Sequence, residues 1–433
     1  MTVPILLSQK EIKVASQAFE TPLYLYNLNK ISHQFAILSE HLPSNFTIHY
    51  ALKANSNLTI CRHLAQLDSS VDVSSLGELQ TALKVGFLPE KVVFTGPGKT
   101  AQEFSTALDI GCGLIALESF NQAQALDQLA QQAGVQPDVI IRINPIYRTS
   151  QSCEIQQQCS IKPETTIQII SQSASKFGVD EEIASETLAK IAQLKHLNLK
   201  GIHIYTESNV LVYQDLLASW QNTIEIADRF REQGYPISLI DFGGGIGVPY
   251  RPHEPSFDMA QFGQAVQKLL DKAKYDYHCL VEIGRYLVGE AGCYVTEVVD
   301  IKHSRGQCFL ILDGGIHHLL RTSGSMKEAT KYMEVLSKDN DNTKPVTLVG
   351  KLMTSLDVLA ENVQVPEDIA IGDQIVIYNC GAYGFNHSIT NFLLHNYPAE
   401  AAYQNGTLSM IRERGKVDDF FVNQKLPFNV VSA

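Results

Sequence analysis

A lysine stands where an apolar run of the sequence ends. Lys53 directly follows the run HYAL at residues 49–52, and apolar runs of this kind are typical of buried strands. If the amine faces a closed pocket, loss of solvation lowers its pKa and favours a nucleophile that forms a Schiff base with a carbonyl compound. The alternative interpretation is an ordinary solvated lysine at the rim of a sheet.

A glycine-rich turn follows a second apolar run, LIDF at residues 239–242. The turn contains Gly243, Gly244 and Gly245, and a fourth glycine stands at 247. Backbone N–H groups in such a turn can approach a phosphate closely because no Cβ is in the way. The spacing does not match a P-loop and is a weak signal for dinucleotide binding, so a simple tight turn is the alternative.

A carboxylate and a guanidinium follow a third apolar run. Glu282 and Arg285 are three residues apart and could bind a protonated ring nitrogen and a phosphate, or else form a surface ion pair. Tyr383, in the sequence CGAYG at residues 380–384, could donate a hydrogen bond to a phosphate or be a packed turn residue. Together, a Schiff-base lysine, a phosphate-binding turn, a ring-nitrogen carboxylate and a phosphate-binding arginine describe a pocket for pyridoxal 5'-phosphate.

The elements that must position these residues alternate between strand and helix patterns from residue 45 to 280. Eight apolar runs are typical of parallel strands with helices on both faces: FTIHYALKA, VDVSS, KVVFTG, GLIAL, DVIIRINP, GIHIYT, LIDFGGG and HCLVEIG. The pattern predicts an α/β fold with a (β/α)8 TIM-type barrel, whose active sites lie at the carboxyl ends of the strands. An open doubly wound sheet is the alternative. After residue 285, strands separated by turn residues predict a β-rich sandwich or barrel domain.

Composition excludes several other classes of protein. The 433 residues carry 34 basic and 46 acidic side chains, a formal charge of −12, which argues against a nucleic-acid partner. No apolar stretch is long enough for a transmembrane helix, and the N-terminus does not resemble a signal peptide. We therefore expect a cytoplasmic protein without a membrane partner. The eight cysteines match no familiar zinc pattern, and no metal site is predicted.

In the order of its motifs the sequence resembles the fold type III, alanine-racemase-like decarboxylases, which depend on pyridoxal phosphate and include the diaminopimelate and ornithine decarboxylases. The resemblance covers nearly the whole chain and is carried by the segments YALKAN (50–55), DVSSLGE (72–78), DFGGGIG (241–247), EIGRY (282–286), DGG (313–315) and GAY (381–383). The segment FTGPGKT at residues 94–100 is most similar to a bacterial subgroup of secondary metabolism. One relative in that subgroup decarboxylates glutamate attached to a carrier protein.

The resemblance implies a role for each matching residue. Lys53 holds pyridoxal 5'-phosphate as a Schiff base and Glu282 binds its ring nitrogen, which makes the ring an electron sink for the carbanion left by carbon dioxide. Asp72, Glu78 and Arg142 orient the pocket, and Tyr205 stacks on the ring. Arg321 binds a substrate carboxylate. The remaining cofactor-binding residues surround the phosphate: Ser208, Gly243, Gly244, Gly245, Gly284, Arg285 and Tyr383.

The resemblance also implies an architecture and an assembly. It predicts an N-terminal segment, residues 1–28, that joins the β-domain, a cofactor-binding barrel at residues 29–280, and a C-terminal β-domain at residues 281–433. The family forms homodimers whose active sites are shared between subunits. Residues 146–175, rich in Ser, Gln and Thr, are interpreted as an inserted loop at the barrel mouth that covers the pocket.

The sequence departs from the family at the residues that finish the reaction. The cysteine that protonates the α-carbon from the partner subunit is replaced by Met353, which has no transferable proton. Thr354 stands where relatives carry an acidic residue that binds the distal amino group of a dibasic substrate. The neutral hydroxyl of Thr354 weakens the case for such a substrate. Tyr205 and Glu207 replace a stacking histidine and a glycine.

These departures leave three functions open. The first is an amino-acid decarboxylase in which Lys53, Tyr383, Lys351 or water replaces the cysteine, acting on a free or carrier-bound amino acid through Arg321, Thr354 and Tyr383. The second is a pyridoxal phosphate enzyme of another reaction type: a racemase, a transaminating decarboxylase or a retro-aldol enzyme. The third is a non-catalytic homologue that acts as a binding partner. Retention of the cofactor-binding residues favours the first.

Overall fold

A computed structural model describes residues 7–146, 174–251, 254–320, 332–338 and 342–426. The chain divides into two compact units. The barrel unit comprises Ser32–Pro249 and Glu254–Leu287, and the β-unit comprises Met1–Ile31, Tyr250–His253 and Val288–Ala433. None of the helices in the described ranges is long and apolar enough to cross a membrane.

The strands are numbered in chain order across both units. They are β1 Leu23–Asn27, β2 Phe46–Ala51, β3 Ser70–Val73, β4 Val92–Phe94, β5 Leu114–Leu117, β6 Asp138–Asn144, β7 Val179–Asp180, β8 Asn198–His203, β9 Leu239–Asp241, β10 His278–Ile283, β11 Gly292–Ser304, β12 Gln307–Leu312, β13 Met333–Val335, β14 Thr343–Val349, β15 Val358–Pro366, β16 Gln374–Ile377, β17 Ala399–Gln404 and β18 Thr407–Arg412.

The helices of the described residues are numbered in the same way. They are α1 Gln9–Phe19, α2 Leu28–His41, α3 Leu58–Gln66, α4 Leu76–Val85, α5 Ala101–Ile110, α6 Phe120–Ala133, α7 Glu181–Ile191, α8 Tyr213–Glu232, α9 Met259–Leu270 and α10 Arg285–Val288.

Eight parallel strands of the barrel unit form a closed sheet. Their order is β5-β4-β3-β2-β10-β9-β8-β6, and β6 pairs back with β5. This closure confirms the predicted barrel and excludes the open doubly wound sheet. Most residues of these strands are buried, because helices cover the outside of the barrel while side chains of the other face fill its interior.

Local sequence signals begin and end the barrel helices. The Ser75 side chain accepts a hydrogen bond from the Glu78 N–H at the start of α4, and the helix ends at Gly86, which has a left-handed backbone. Thr100 and Glu103 form a capping box at the start of α5. Such caps satisfy the free N–H groups of the first turn and so fix where each helix begins.

The β-unit is a mixed sheet in the order β15-β14-β12-β11-β1-β17-β18, with β16 pairing with β11 and β13. Strand β1 lies between β11, which is antiparallel to it, and β17, which is parallel. Helix α1 packs on this sheet through Ile12 and Ala15, which share a buried cluster with Leu23, Leu25 and Val295. Residues from both ends of the sequence therefore build one hydrophobic core.

Candidate active site

Lys53 lies just beyond the carboxyl end of β2, in a short 3-10 turn at Leu52–Ala54. Its side chain is 46% exposed, and its Nζ lies 3.2 Å from Asp72 Oδ2. Asp72 is buried on β3, and its other oxygen accepts a hydrogen bond of 2.7 Å from the Thr95 hydroxyl. The lysine amine is thus accessible to a ligand while a fixed carboxylate holds it in place.

The glycine turn after β9 has no room for side chains. Gly243 has φ +63°, and a Cβ there would come within 2.9 Å of the Tyr205 ring. A Cβ on Gly244 would lie 2.5 Å from the Glu282 carbonyl oxygen, and Gly245 has φ +115°. The Asp241 carboxylate accepts a hydrogen bond of 2.8 Å from the Gly243 N–H. The turn therefore needs glycine because the Tyr205 ring and the Glu282 carbonyl pack against its backbone. A backbone without side chains is also typical of phosphate-binding turns.

Two side chains that can donate hydrogen bonds to a phosphate lie close to each other. Arg285 Nη2 is 3.5 Å from Ser208 Oγ. A Cβ on Gly284 would lie 2.7 Å from the Ala54 Cβ, so the start of α10 packs against the turn that carries Lys53. A guanidinium and a hydroxyl in this arrangement suit a phosphate oxygen.

Glu282 lies on β10 and is 7% exposed. Its Oε2 is 3.8 Å from His203 Nε2, and its Oε1 has no hydrogen-bond partner. Burial, together with the charges of Asp241 and Asp72, raises the pKa of Glu282 well above its usual range. A buried carboxylate oxygen without a donor is suited to a ligand that brings its own N–H group.

Arg142 lies on β6 and pairs with Glu118, with 3.3 Å between Nη1 and Oε1. Its guanidinium also lies 4.5 Å from the centre of the Phe177 ring. Nearby, Lys99 donates to the carbonyls of Gly96 and Ala116, and burial lowers the pKa of Lys99 to about 8. Arg142 is therefore held by a carboxylate that directly follows β5 and by a ring that lies just before β7.

The sequence interpretation missed four polar residues of this barrel end: Lys99, Glu118, His203 and Asp241. Asp241 and His203 are the last residues of their strands, and Glu118 directly follows one. A search for every polar side chain within or directly after an apolar run would have found these three.

Glu78, in the first turn of α4, accepts a hydrogen bond of 2.7 Å from the Ser74 N–H. The other predicted site residues lie outside the barrel unit. Tyr383, Met353 and Thr354 belong to the β-unit, where Met353 is 89% exposed and Tyr383 has φ +54°. Arg321 lies outside the described residues, as do residues 147–173 of the interpreted insertion. The roles predicted for these residues stay predictions.

His49, four residues before Lys53, gives the barrel a pH dependence that can be tested. Burial lowers the pKa of His49 to about 4, although the Asp72 charge opposes the shift. The unfolded chain binds a proton below its ordinary pKa of about 6.5, whereas the folded chain does not until about pH 4. Stability from neutral His49 is therefore lost as the pH falls through this window, by at most about 1.4 kcal/mol per pH unit.

Urea unfolding of wild type and His49→Gln between pH 7 and 4 measures this contribution. Buried carboxyl groups with raised pKa, such as Glu282 and Asp241, act in the opposite direction, but they are common to both proteins. We expect the wild-type free energy of unfolding to fall more steeply with acid than that of the variant. If the free energy of unfolding fell equally with acid in both proteins, a lowered pKa of His49 in the folded chain would be contradicted.

Comparison with known proteins identifies the class. Residues 28–289 match the family model described as pyridoxal-dependent decarboxylase, pyridoxal binding domain. The chain is 31% identical to L-glutamyl-(BtrI acyl-carrier protein) decarboxylase of Niallia circulans, over 96% of this chain and 97% of that protein. It is also 31% identical to diaminopimelate decarboxylase of Methanothermobacter thermautotrophicus, over 94% of this chain and 92% of that protein.

A solved structure agrees with this identification. Diaminopimelate decarboxylase from Helicobacter pylori, complexed with L-lysine, superimposes with a TM-score of 0.83 at 30% identity, over 95% of this chain and 98% of that one. The chain belongs to the pyridoxal-dependent decarboxylase family. It is a carboxy-lyase of amino acids, and its cofactor is pyridoxal phosphate.

The described residues fit this cofactor. The buried Oε1 of Glu282, which has no hydrogen-bond partner, is an acceptor for a ring N–H, and the glycine turn lies beside the Tyr205 ring, which can stack on a planar ligand. Arg285 and Ser208 supply donors for a phosphate, and the Lys53 amine is accessible. These residues thus match the ring nitrogen, the phosphate and the aldehyde of pyridoxal phosphate.

Proposed function

We propose that the chain decarboxylates an α-amino acid that carries an acidic or carrier-linked group at its far end, with Lys53 as the residue that attaches the cofactor. The observation that carries the proposal is the pairing of the accessible Lys53 amine with buried Asp72 in a barrel end that also holds the unpartnered Glu282 oxygen. When bound, pyridoxal phosphate supplies a ring that accepts the electron pair left on the α-carbon as carbon dioxide departs.

Each group around the pocket has a distinct task in this proposal. The glycine turn, Ser208 and Arg285 bind the phosphate and so fix the cofactor's position. Glu282 keeps a proton on the ring nitrogen, because a carboxylate in a buried site stabilises a facing cation strongly. Asp72 orients the Lys53 amine, and the Tyr205 ring covers one face of the pocket.

The final proton transfer needs a donor other than residue 353. Met353 has no acidic proton, so we propose that the Lys53 amine, or the Tyr383 hydroxyl, hands the proton to the α-carbon. Loss of a general acid typically costs about 10²–10⁴-fold in rate, so an efficient enzyme needs such a replacement.

Two features support an acidic or carrier-linked substrate. Thr354 is uncharged and therefore offers no opposite charge to a distal ammonium. Arg321 is a cation that suits a carboxylate or acyl oxygen. The similarity to a decarboxylase of a glutamyl carrier protein is consistent with such a substrate and with a place in secondary metabolism.

We further propose a homodimer with shared active sites. The exposed Met353 and Leu356 side chains of the β-unit are suited to burial in such an assembly.

A substrate panel tests the proposal. The purified protein with added pyridoxal phosphate is incubated with glutamate, a glutamyl carrier protein, lysine, ornithine and diaminopimelate, and both carbon dioxide and the amine product are measured. We expect carbon dioxide to be released from an acidic or carrier-linked substrate and much less to be released from the dibasic substrates. Inversion at the α-carbon without carbon dioxide would instead indicate a racemase, and preference for a dibasic substrate would refute the assigned specificity.

A further inference from the structure

Three buried polar side chains lie on neighbouring barrel strands: His203 on β8, Asp241 on β9 and Glu282 on β10. They are 2%, 0% and 7% exposed, respectively. His203 is the direct register partner of Asp241, and Glu282 is two residues beyond Leu280, the partner of Asp241 on the other side. One ring nitrogen of His203 and one carboxylate oxygen each of Asp241 and Glu282 lie within 4.8 Å of one another.

Most of the polar atoms in this cluster are unsatisfied. Both ring nitrogens of His203, Oδ2 of Asp241 and Oε1 of Glu282 lack hydrogen-bond partners. Asp241 Oδ1 is already occupied by the Gly243 N–H at 2.8 Å. Unpaired polar groups are costly inside a protein, and two ionised carboxylates this close in a buried site repel each other strongly.

The surrounding charges decide which groups are ionised. Burial raises the pKa of Asp241, and burial followed by the charges of Asp241 and Asp72 raises the pKa of Glu282. Burial and the cations Arg142, Lys53 and Lys99 lower the pKa of His203 well below its usual range. His203 is therefore neutral, and the two carboxyl groups titrate as a pair.

A divalent cation is a poor occupant of this cluster, even though the three side chains are of the types that bind metals. The three cations Lys53, Arg142 and Lys99 lie near enough to shift the pKa of His203, and they would repel a metal ion as well. A proton can satisfy the two carboxyl groups while leaving the cluster with a single negative charge.

We infer that Asp241 and Glu282 share one proton, and that Asp241 Oδ2 carries it whenever a cationic ring nitrogen faces Glu282. The step moves one proton along the hydrogen bond between the Glu282 and Asp241 carboxyl groups and requires no further reactant. The negative charge then rests on Glu282, opposite the ring nitrogen, and the hydrogen bond from Asp241 holds that carboxylate in place. Asp241 is thus a positioning residue. The inference depends on the proposed role of Glu282 toward the cofactor.

Asparagine mimics this protonated state, with an amide NH2 group in place of the O–H group. In Asp241→Asn, the amide oxygen still accepts from Gly243 and the amide nitrogen donates to Glu282. We expect the variant to bind pyridoxal phosphate within about threefold of wild type. Asp241→Leu removes both hydrogen bonds and should weaken binding by about 10–100-fold. Asp228→Asn is the matched control, because Asp228 is also buried in the barrel unit but bonds to Tyr277.

Infrared spectroscopy of the free protein at pH 8 tests the shared proton directly, without activity or cofactor. We expect a C=O band of a protonated carboxyl group in wild type and Asp228→Asn, and none in Asp241→Asn or Glu282→Gln. Absence of the band in wild type would overturn the inference, as would loss of cofactor binding in a folded Asp241→Asn protein. If wild type itself binds no pyridoxal phosphate, the proposed function fails instead, and the infrared result still decides whether the proton is shared.

Discussion

Replacement of Lys53 by alanine is expected to abolish covalent attachment of the cofactor and to lower kcat by about 10²–10⁴-fold or more. Lys53 Nζ lies 3.2 Å from Asp72 and remains 46% exposed, and no other described lysine shares this position beside Asp72 at the end of β2. The variant loses both the attachment point and the amine that can move a proton at the α-carbon. Steady-state assays on the best substrate of the panel measure the loss.

The matched control is Lys91→Ala. Lys91 precedes β4 and pairs with Asp68, away from the carboxyl ends of the strands, so this variant should keep wild-type kcat. Partial recovery of the Lys53→Ala variant by an added small amine would show that the missing group is the amine itself. A variant with more than about one tenth of the wild-type kcat would mean that Lys53 is not the attachment point.

Glu282→Gln is expected to lower kcat by about 10²–10³-fold, the usual cost of removing one preorganised electrostatic group. Glutamine is neutral, so it no longer stabilises a positive charge on the ring nitrogen. Arg285, Ser208 and the glycine turn remain, and the variant should therefore still bind pyridoxal phosphate. Nitrogen-15 NMR of labelled cofactor should report a protonated ring nitrogen in wild type and an unprotonated one in the variant.

Glu181→Gln controls for loss of a buried glutamate in the same unit. Glu181 is 7% exposed and pairs with Arg229 at 2.6 Å, so its replacement should reduce stability and leave kcat nearly unchanged. If Glu282→Gln kept both its rate and a protonated ring nitrogen, Glu282 would have no role toward the ring.

The sequence predicted the barrel well because its strands are buried on both faces. Runs such as LIAL in β5 are apolar throughout, which is typical of parallel strands under helices. Closure was open to two interpretations, because pairing of β5 with β6 depends on tertiary contacts that no local pattern encodes. The glycine turn and the ends of β2 and β10 were predicted for the same reason as the strands: each directly follows an apolar run.

The cluster of His203, Asp241 and Glu282 could not be predicted from the spacing of these residues in the sequence. His203 and Asp241 are 38 residues apart in the sequence and meet only because β8 and β9 pair in register. Each taken alone is a single polar residue within an apolar run, and its partners come from other strands. The pKa shifts arise from burial and from charges on several elements, which is information that the fold alone supplies.

The most direct test of the central claim is the location of the cofactor. The protein loaded with pyridoxal phosphate is reduced with borohydride, digested, and analysed by mass spectrometry. The account predicts one reduced pyridoxyl phosphate group, on the peptide that contains Lys53, and none in Lys53→Ala. Modification of another lysine in wild type, or none at all in a protein that releases carbon dioxide, would contradict it.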